Sequence, residues 1–528
     1  MMKNKKREII IVSCLIMIQT IIFFIVGMHK EYIHMDEAYS YGLASYKRTE
    51  IQDNEDFYNK WHNGEYYEDY LSVQENEIKE YSQVYENQKN DVHPPLYYLL
   101  LRFFMGFTNG KFSMWPGIVL NIIIYNLITI VMDQIIQKLL KKEKYVKEKA
   151  IILAFISSIT VASLTNVIYI RMYALTTLNI LLTTFLHIKL LEENRINVKL
   201  LIEIGMIALI GSLTHYYYLF YLTMLYILFL IKYIKEKNIK ALIYYTITMI
   251  MAAAISLMIF PYSINHMFFG YRGQGVINNL TNVSHFVFNI IVYLFKINYY
   301  TFNNLLFFIF IFIMGILIYK KRKRKEKIEN DKKQKELFQI IYIPTIFYFI
   351  IVAIVSPWLE LRYVLPICGL IFILVIIDLY QLLKTILEEQ KVNIIVGILL
   401  IVTLITPLIY KIEPEVLYSN KKDIVQKIQK ELNVPTIYLL NSKNNRFLDD
   451  ILLFTTIKQS YIAKDIEYTS ENIQNILQEK DMTNGIMIFI NDGQNKSSII
   501  QVIRKTTNLK KVEHLKRMNA CDIYYIYE

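Results

Sequence analysis

The sequence predicts a polytopic α-helical membrane protein with a long first outer loop and a small C-terminal α/β domain outside the membrane. Three observations predict it. Hydrophobic residues fill 54% of the 528 positions and recur in apolar runs near 20 residues long, the length a helix needs to cross a hydrocarbon core of roughly 30 Å. Lys and Arg fall in short blocks between those runs. From about residue 412 the pattern changes to short apolar runs that end in polar turns.

Spans are expected near 9–28, 114–137, 150–168, 173–191, 200–214, 216–232, 241–260, 302–319, 338–355, 364–383 and 393–410, eleven in all. The first is too long, and its exit too acidic, for a cleaved secretory signal, so it reads as a retained anchor. The blocks KNKKR (3–7), KKEKYVKEK (141–149), KYIKEKNIK (232–240) and KKRKRKEK (320–327) all fall on one side of the alternation. That side is cytoplasmic by the positive-inside rule. The N-terminus is therefore expected inside and the C-terminus outside the plasma membrane, and the Ile, Lys, Asn and Tyr bias suggests a bacterial cell.

Residues 29–113 form the first outer loop. Its segment 51–91 carries 11 acidic residues against three lysines, with aromatics at helical spacing, which predicts a helical hairpin at the interface. HPPLYYLLLRFFMGF (93–107) begins with prolines that can start a helix but not continue one. It is too short to span and predicts a surface-lying helix before Ser113 caps the second span. A second outer segment, 261–300, holds three glycines and an apolar stretch near 286–295 that must be re-entrant or interfacial if the 320–327 block is inside. Two domains follow, 1–411 in the membrane and 412–528 outside it. In the latter VPTIYLLN, GIMIFIND and CDIYYIYE read as strands and KKDIVQKIQKEL as an amphipathic helix.

The net charge of +12 lies in loop blocks, so no nucleic-acid partner is expected. Cys14, Cys368 and Cys521 offer neither a disulfide framework nor a metal spacing. Ion-coupled transporters keep ionisable groups near mid-membrane, whereas Asp133, Glu203, Asp378 and His187 sit near the inner span ends. A transporter, or a non-catalytic envelope-assembly protein that binds through the outer domain, remains the alternative to an enzyme.

The outer span ends are where reactive groups gather. Asp36 and Glu37 in HMDEAYSYG follow the first span, and His93 lies in the first loop. Arg171 in IYIRMYA, His215 in THYYY, Arg272 in GYRGQG and Arg362 in WLELRYVLPI lie at later outer ends. Each has a plainer reading. The arginines can snorkel, the two acids can cap a helix at its positive end, His215 can belong to an interfacial aromatic belt, and His93 can simply solvate the approach to Pro94. Their joint placement points further. Arginine binds phosphate through a forked contact, and a carboxylate can take a proton from an attacking hydroxyl. Transfer from a lipid phosphate to an acceptor needs both.

DEAYSY after the first span, HPPLYYLL closing the first loop, RMYAL and RYVLP stand in the order in which the GT-C superfamily of integral-membrane glycosyltransferases carries similar landmarks. Over about residues 8–410 the chain resembles its protein O-mannosyltransferase and aminoarabinose-transferase-like group. The resemblance implies a GT-C-like fold, a polyprenyl-phosphate sugar donor in the bilayer, inversion at the anomeric carbon, and an extracytoplasmic glycan, lipid or protein acceptor. It implies Asp36 as general base with Glu37 assisting in acceptor or metal binding. Arg171, Arg362 and Tyr363 would hold the donor phosphate, and His93, His215 and Arg272 would position acceptor or phosphate. No cofactor is certain from it, and a divalent metal stays open.

Overall fold

The computed structural model describes residues 2–45, 51–193, 195–281, 283–323, 332–431, 433–441, 445–478 and 480–528. The basic block at 320–327 thus lies partly outside the described residues. The chain forms two compact units. One holds the residues up to Gly27, Val92–Tyr97 and Ile118–Glu415; the other holds Met28–Asp91, Tyr98–Gly117 and Val416–Glu528.

The first unit is the membrane unit. Among the described residues eight of its helices are long and apolar enough to span without a break: Glu8–Met28, Trp115–Leu139, Tyr173–Glu192, Tyr218–Lys235, Ile239–Ile259, Lys333–Val355, Leu365–Lys384 and Glu389–Tyr410. Two bent pairs, Val146–Ser158 with Val161–Ile168 (61°) and Phe286–Phe302 with Leu306–Ile318 (96°), raise the number to ten if each is one span. Two of the eleven expected spans differ from a straight crossing. Val198–Ser212 has only 15 helical residues, about 22 Å at the helical rise and short of the hydrocarbon thickness. The expected span at 302–319 is the second arm of a right-angled pair, turned where Asn303 and Asn304 take left-handed backbone (φ 52° and 67°), which asparagine tolerates.

Apolarity alone does not order helices in lipid, where side-chain hydrogen bonds and close packing hold them together. Tyr173–Glu192 is the most enclosed span, 83% buried, and it is also the one studded with Asn, Thr and His. Asn179 donates to Thr214 Oγ1 (3.0 Å), Thr183 and Thr184 bond the hydroxyls of Tyr218 (2.7 Å) and Tyr221 (2.8 Å), and His187 Nε2 meets Tyr245 Oη at 2.9 Å. Gln19, Asn126, Thr129 and Ser158 form a similar chain across three further helices.

The second unit is built on a six-stranded sheet of β1 (Trp61–His62), β2 (Thr436–Leu440), β3 (Ser460–Lys464), β4 (Ile486–Asn491), β5 (Lys511–Met518) and β6 (Cys521–Tyr527), in the order β1-β3-β2-β4-β6-β5. The central β3, β2 and β4 are parallel, whereas β1, β6 and β5 pair antiparallel. β2 and β4 are buried throughout, as strands covered on both faces must be. On one face Ile437, Leu439, Ile488 and Ile490 pack with Ile473, Ile476, Ile499 and Ile503 from helices Ser470–Leu477 and Lys496–Thr507. On the other, Tyr438 and Phe489 pack with Phe447 and Phe454, and Tyr67 of helix Gly64–Leu71 packs on the latter pair.

The strands expected at 434–441, 485–492 and 521–528 and the helix Lys422–Glu431 are present. β1, β3 and β5 were not legible. β5 is an exposed edge strand, half of whose residues are charged, and β1 is two residues of the loop 29–113 paired to β3. That loop therefore belongs to the same compact unit as the C-terminal residues, and its helices include Met35–Ser45, Gly64–Leu71 and Ser82–Asn90. HPPLYYLLLRFFMGF gives the ten-residue helix Leu96–Met105, and Ser113 Oγ accepts from Trp115 N (3.2 Å) at the start of the second span.

Gly42 is where helix Met35–Ser45 meets helix Gly64–Leu71. A Cβ there would lie 2.0 Å from Tyr70 Cζ and 2.2 Å from its oxygen. Gly42→Ala is expected to destabilise the second unit by about 1–3 kcal/mol, as overpacking does. Thermal unfolding measures it, and Tyr70→Leu in the same chain should return part of the loss.

Candidate active site

In the membrane unit the predicted residues share one aromatic cluster. Val161–Ile168 ends and Tyr173–Glu192 begins around the segment YIRM, so Arg171 sits at a helix break, where its backbone N donates to Tyr169 O (2.7 Å). Tyr169 Oη accepts from Arg362 Nη1 at 3.2 Å, and its ring stacks on Tyr173 at 5.9 Å. Tyr173 meets His215 at 5.5 Å and Tyr363 at 6.4 Å, while Tyr217 meets Tyr363 at 5.8 Å. His215 lies 6.0 Å from His93, ring to ring. Arg272 and Arg362 approach the same indole, Trp358, with guanidinium carbons 4.3 Å and 5.7 Å from its centroid.

Arg171, Arg362 and His215 are all buried. Burial above all, then the nearby His93 and Arg171, holds the His215 imidazole well below its ordinary pKa. Its Nδ1 accepts from Tyr217 N (3.0 Å), so the neutral ring presents Nε2–H as a donor. The arrangement offers two desolvated guanidinium groups, a neutral imidazole donor and several phenol hydroxyls, the equipment for holding an anionic group beside a polyhydroxylated one. Reading the sequence missed Tyr169, Tyr173, Tyr217 and Trp358. Among 42 tyrosines their only signal is the placement of Tyr169 and Tyr173 two residues either side of Arg171.

In the second unit the two adjacent carboxylates have different surroundings. Asp36 and Glu37 fall in the first turn of helix Met35–Ser45, where the positive end of the helix favours acids. Glu37 is fully buried. Its Oε2 pairs with Lys30 Nζ at 3.0 Å and accepts from His34 N at 2.7 Å, and Lys30 Nζ also donates to Val416 O at 2.8 Å. Glu37 reaching back to the residue before the helix is one half of a capping box. His34 supplies the other half with Nδ1, which accepts from Asp36 N (3.1 Å). The Asp36 carboxylate remains 18% exposed, so it can meet a substrate that Glu37 cannot reach.

Behind this turn lies a buried acid pair. Asp449 Oδ1 accepts from Met35 N (3.2 Å) and its Oδ2 pairs with Arg446 Nε (2.6 Å). Asp450 accepts from Asn519 Nδ2 (2.7 Å), and Asn519 Oδ1 accepts from Lys421 Nζ (2.6 Å). Burial and the neighbouring Asp449 push Asp450 up to about 7. No three His, Cys, Asp or Glu side chains among the described residues gather as a metal site requires.

The whole chain superposes on ArnT from Cupriavidus metallidurans. The structure of ArnT bound to undecaprenyl phosphate matches with a TM-score of 0.53 over 97% of each chain at 7% identity. The apo structure matches with a TM-score of 0.50, also over 97% of each chain at 7% identity. The chain shares the fold of ArnT. No family model matches the sequence, and no curated protein matches it. The likeness is thus one of architecture, a polytopic helical membrane protein with a small sheet domain.

Two predictions follow the geometry of the second unit. Glu37→Gln leaves the Lys30 charge buried without its counter-charge and should cost about 3–5 kcal/mol, whereas Lys30→Met with Glu37→Gln should recover most of it. A double-mutant cycle on thermal unfolding reads the coupling. For Asp450, the folded chain keeps a proton that the unfolded chain releases between about pH 4 and pH 7, so rising pH lowers stability across that window and no further above it. Asp450→Asn should flatten that slope in melting curves recorded from pH 4 to pH 8.

Proposed function

We propose that the chain is a membrane glycosyltransferase that moves a sugar from a polyprenyl-phosphate-linked donor to an extracytoplasmic cell-envelope acceptor, glycan, lipid or protein, with inversion. The observation that carries this reading is the cluster of the buried Arg171, Arg362 and His215 with His93 and tyrosines, in a chain with the fold of ArnT, whose solved structure holds undecaprenyl phosphate. In this reading the N-terminus is cytoplasmic and the C-terminus outside.

Asp36 takes the proton of the acceptor hydroxyl as its oxygen attacks the anomeric carbon. The bond from that carbon to the phosphate oxygen breaks on the opposite face, which inverts the configuration. Polyprenyl phosphate leaves with the electron pair, and Arg171 and Arg362, assisted by Tyr363, stabilise the charge so that no proton need be supplied to it. His93 and His215 orient the phosphate or acceptor through their donors, and Arg272 adds positive charge beside Trp358. Glu37 positions Asp36 by locking the first helical turn to Lys30 and His34. We give it that role in place of direct contact with acceptor or metal, because its carboxylate is enclosed.

Transfer of labelled sugar from a purified polyprenyl-phosphate donor to envelope extract, in detergent and with donor binding followed separately, tests the reading. Asp36→Asn should lower turnover by about 10²–10⁴ while donor still binds. Lys30→Met with Glu37→Gln should lose less. Arg362→Ala should weaken donor use more than Arg362→Lys, because lysine keeps the charge and loses the fork. Full transfer by Asp36→Asn, or normal donor affinity in both Arg362 variants, refutes the corresponding assignment.

A further inference from the structure

A general base works through position, and a 1 Å displacement can cost about 10²-fold in rate. The helix that carries Asp36 is short, and three amides at its start donate to side chains. Two of these bonds are local, from Asp36 N to His34 Nδ1 and from His34 N to Glu37 Oε2. The third comes from 414 residues away in sequence, where Met35 N, the amide next to Asp36, donates to Asp449 Oδ1 at 3.2 Å.

Asp449 is itself held from several sides. It closes the 3₁₀ turn Phe447–Asp449, its other oxygen pairs with Arg446 Nε (2.6 Å), and its main-chain oxygen accepts from Asn519 Nδ2 (2.9 Å). Arg446 Nη2 also lies 4.0 Å from Met35 Sδ. Asn519 precedes β6, takes a left-handed backbone (φ 50°), and receives Lys421 Nζ at 2.6 Å. Lys421 lies over the rings of Tyr418 (4.2 Å) and Tyr32 (4.6 Å), the latter in the strap that leads into the Asp36 helix. The acid that meets the helix is therefore anchored to the sheet.

We propose that Asp449 is a positioning residue for glycosyl transfer: it caps the Asp36 helix from the C-terminal domain, so that the outer domain sets the geometry of the base. The inference rests on Asp36 being that base. It gives the C-terminal domain a role in catalysis without any contact with substrate.

The test compares Asp449→Leu, which removes the acceptor, with Asp449→Asn, which keeps an oxygen at the same place. Backbone hydrogen exchange is read on a peptide covering 31–38, with one covering Ile486–Asn491 as internal reference, and turnover is read with labelled polyprenyl-phosphate sugar. Asp449→Leu should speed exchange at 31–38 by about tenfold, the effect of losing a helix cap, and leave the reference strand protected. Its kcat should fall by about 10- to 100-fold with donor KM unchanged, and Asp449→Asn should restore most of both. Unchanged exchange at 31–38, equal loss of protection in the reference strand, a loss that falls on donor KM, or no rescue by Asp449→Asn overturns the proposal. If exchange behaves as expected but Asp36→Asn transfers normally, the base assignment has failed; the cap then stands as a fold contact, and the catalytic role of Asp449 falls with that assignment.

Discussion

The second unit depends on one interaction, the buried ion pair between Lys30 and Glu37. Two charges removed from water are tolerable only when each is paired and its remaining donors and acceptors are met. Here Lys30 also bonds Val416 O and Glu37 also accepts from His34 N. The pair therefore ties three segments at one point: the strap leaving the first helix, the first turn of Met35–Ser45, and the start of the C-terminal residues. Burial holds Lys30 below its ordinary pKa while Glu37 opposes that shift. Unpairing either partner would leave the other charged and dry.

That constraint gives two neighbouring carboxylates different surroundings. Glu37 is enclosed and bonded into the turn, whereas Asp36, one residue earlier and rotated about 100° around the helix, stays partly exposed beside His34. In an active site, environment rather than residue type decides which acid does chemistry and which holds the frame. The same division appears behind the turn, where Asp449 meets the helix and Asp450 is closed in among Asn519, Tyr438 and the Lys421 charge.

The membrane unit follows a parallel logic with neutral groups. Its most buried span is rich in hydroxyls and amides, because in lipid those groups are satisfied only by other helices. Toward the predicted outer ends the same unit gathers arginines with aromatic rings. A ring face beside a guanidinium lowers the cost of removing that cation from water, and Trp358 serves both Arg272 and Arg362 in this way.

Local composition and period determined much of this protein by themselves. Most of the membrane spans, the strands β2, β4 and β6, the helix Lys422–Glu431 and the short Leu96–Met105 helix are all written in runs of apolar residues bounded by charge, Pro or Ser. The number of straight spans was not, because a run such as 302–319 carries no sign of the right-angled turn at Asn303 and Asn304. The short β1 and the charged edge strand β5 were illegible for a related reason. They are strands because of their partners, and without them His62 or Lys511 has no strand period to read. Types of reactive residue were legible, since Asp, His and Arg at outer span ends stand out against apolar sequence. Their surroundings were not. That Glu37 faces Lys30 inside the protein, that Tyr169 bonds Arg362, and that Asp449 reaches the Asp36 helix at Met35 from 414 positions away were decided only in the tertiary structure. Burial, pairing and distance between remote segments are properties of the packed chain, and no local pattern encodes them.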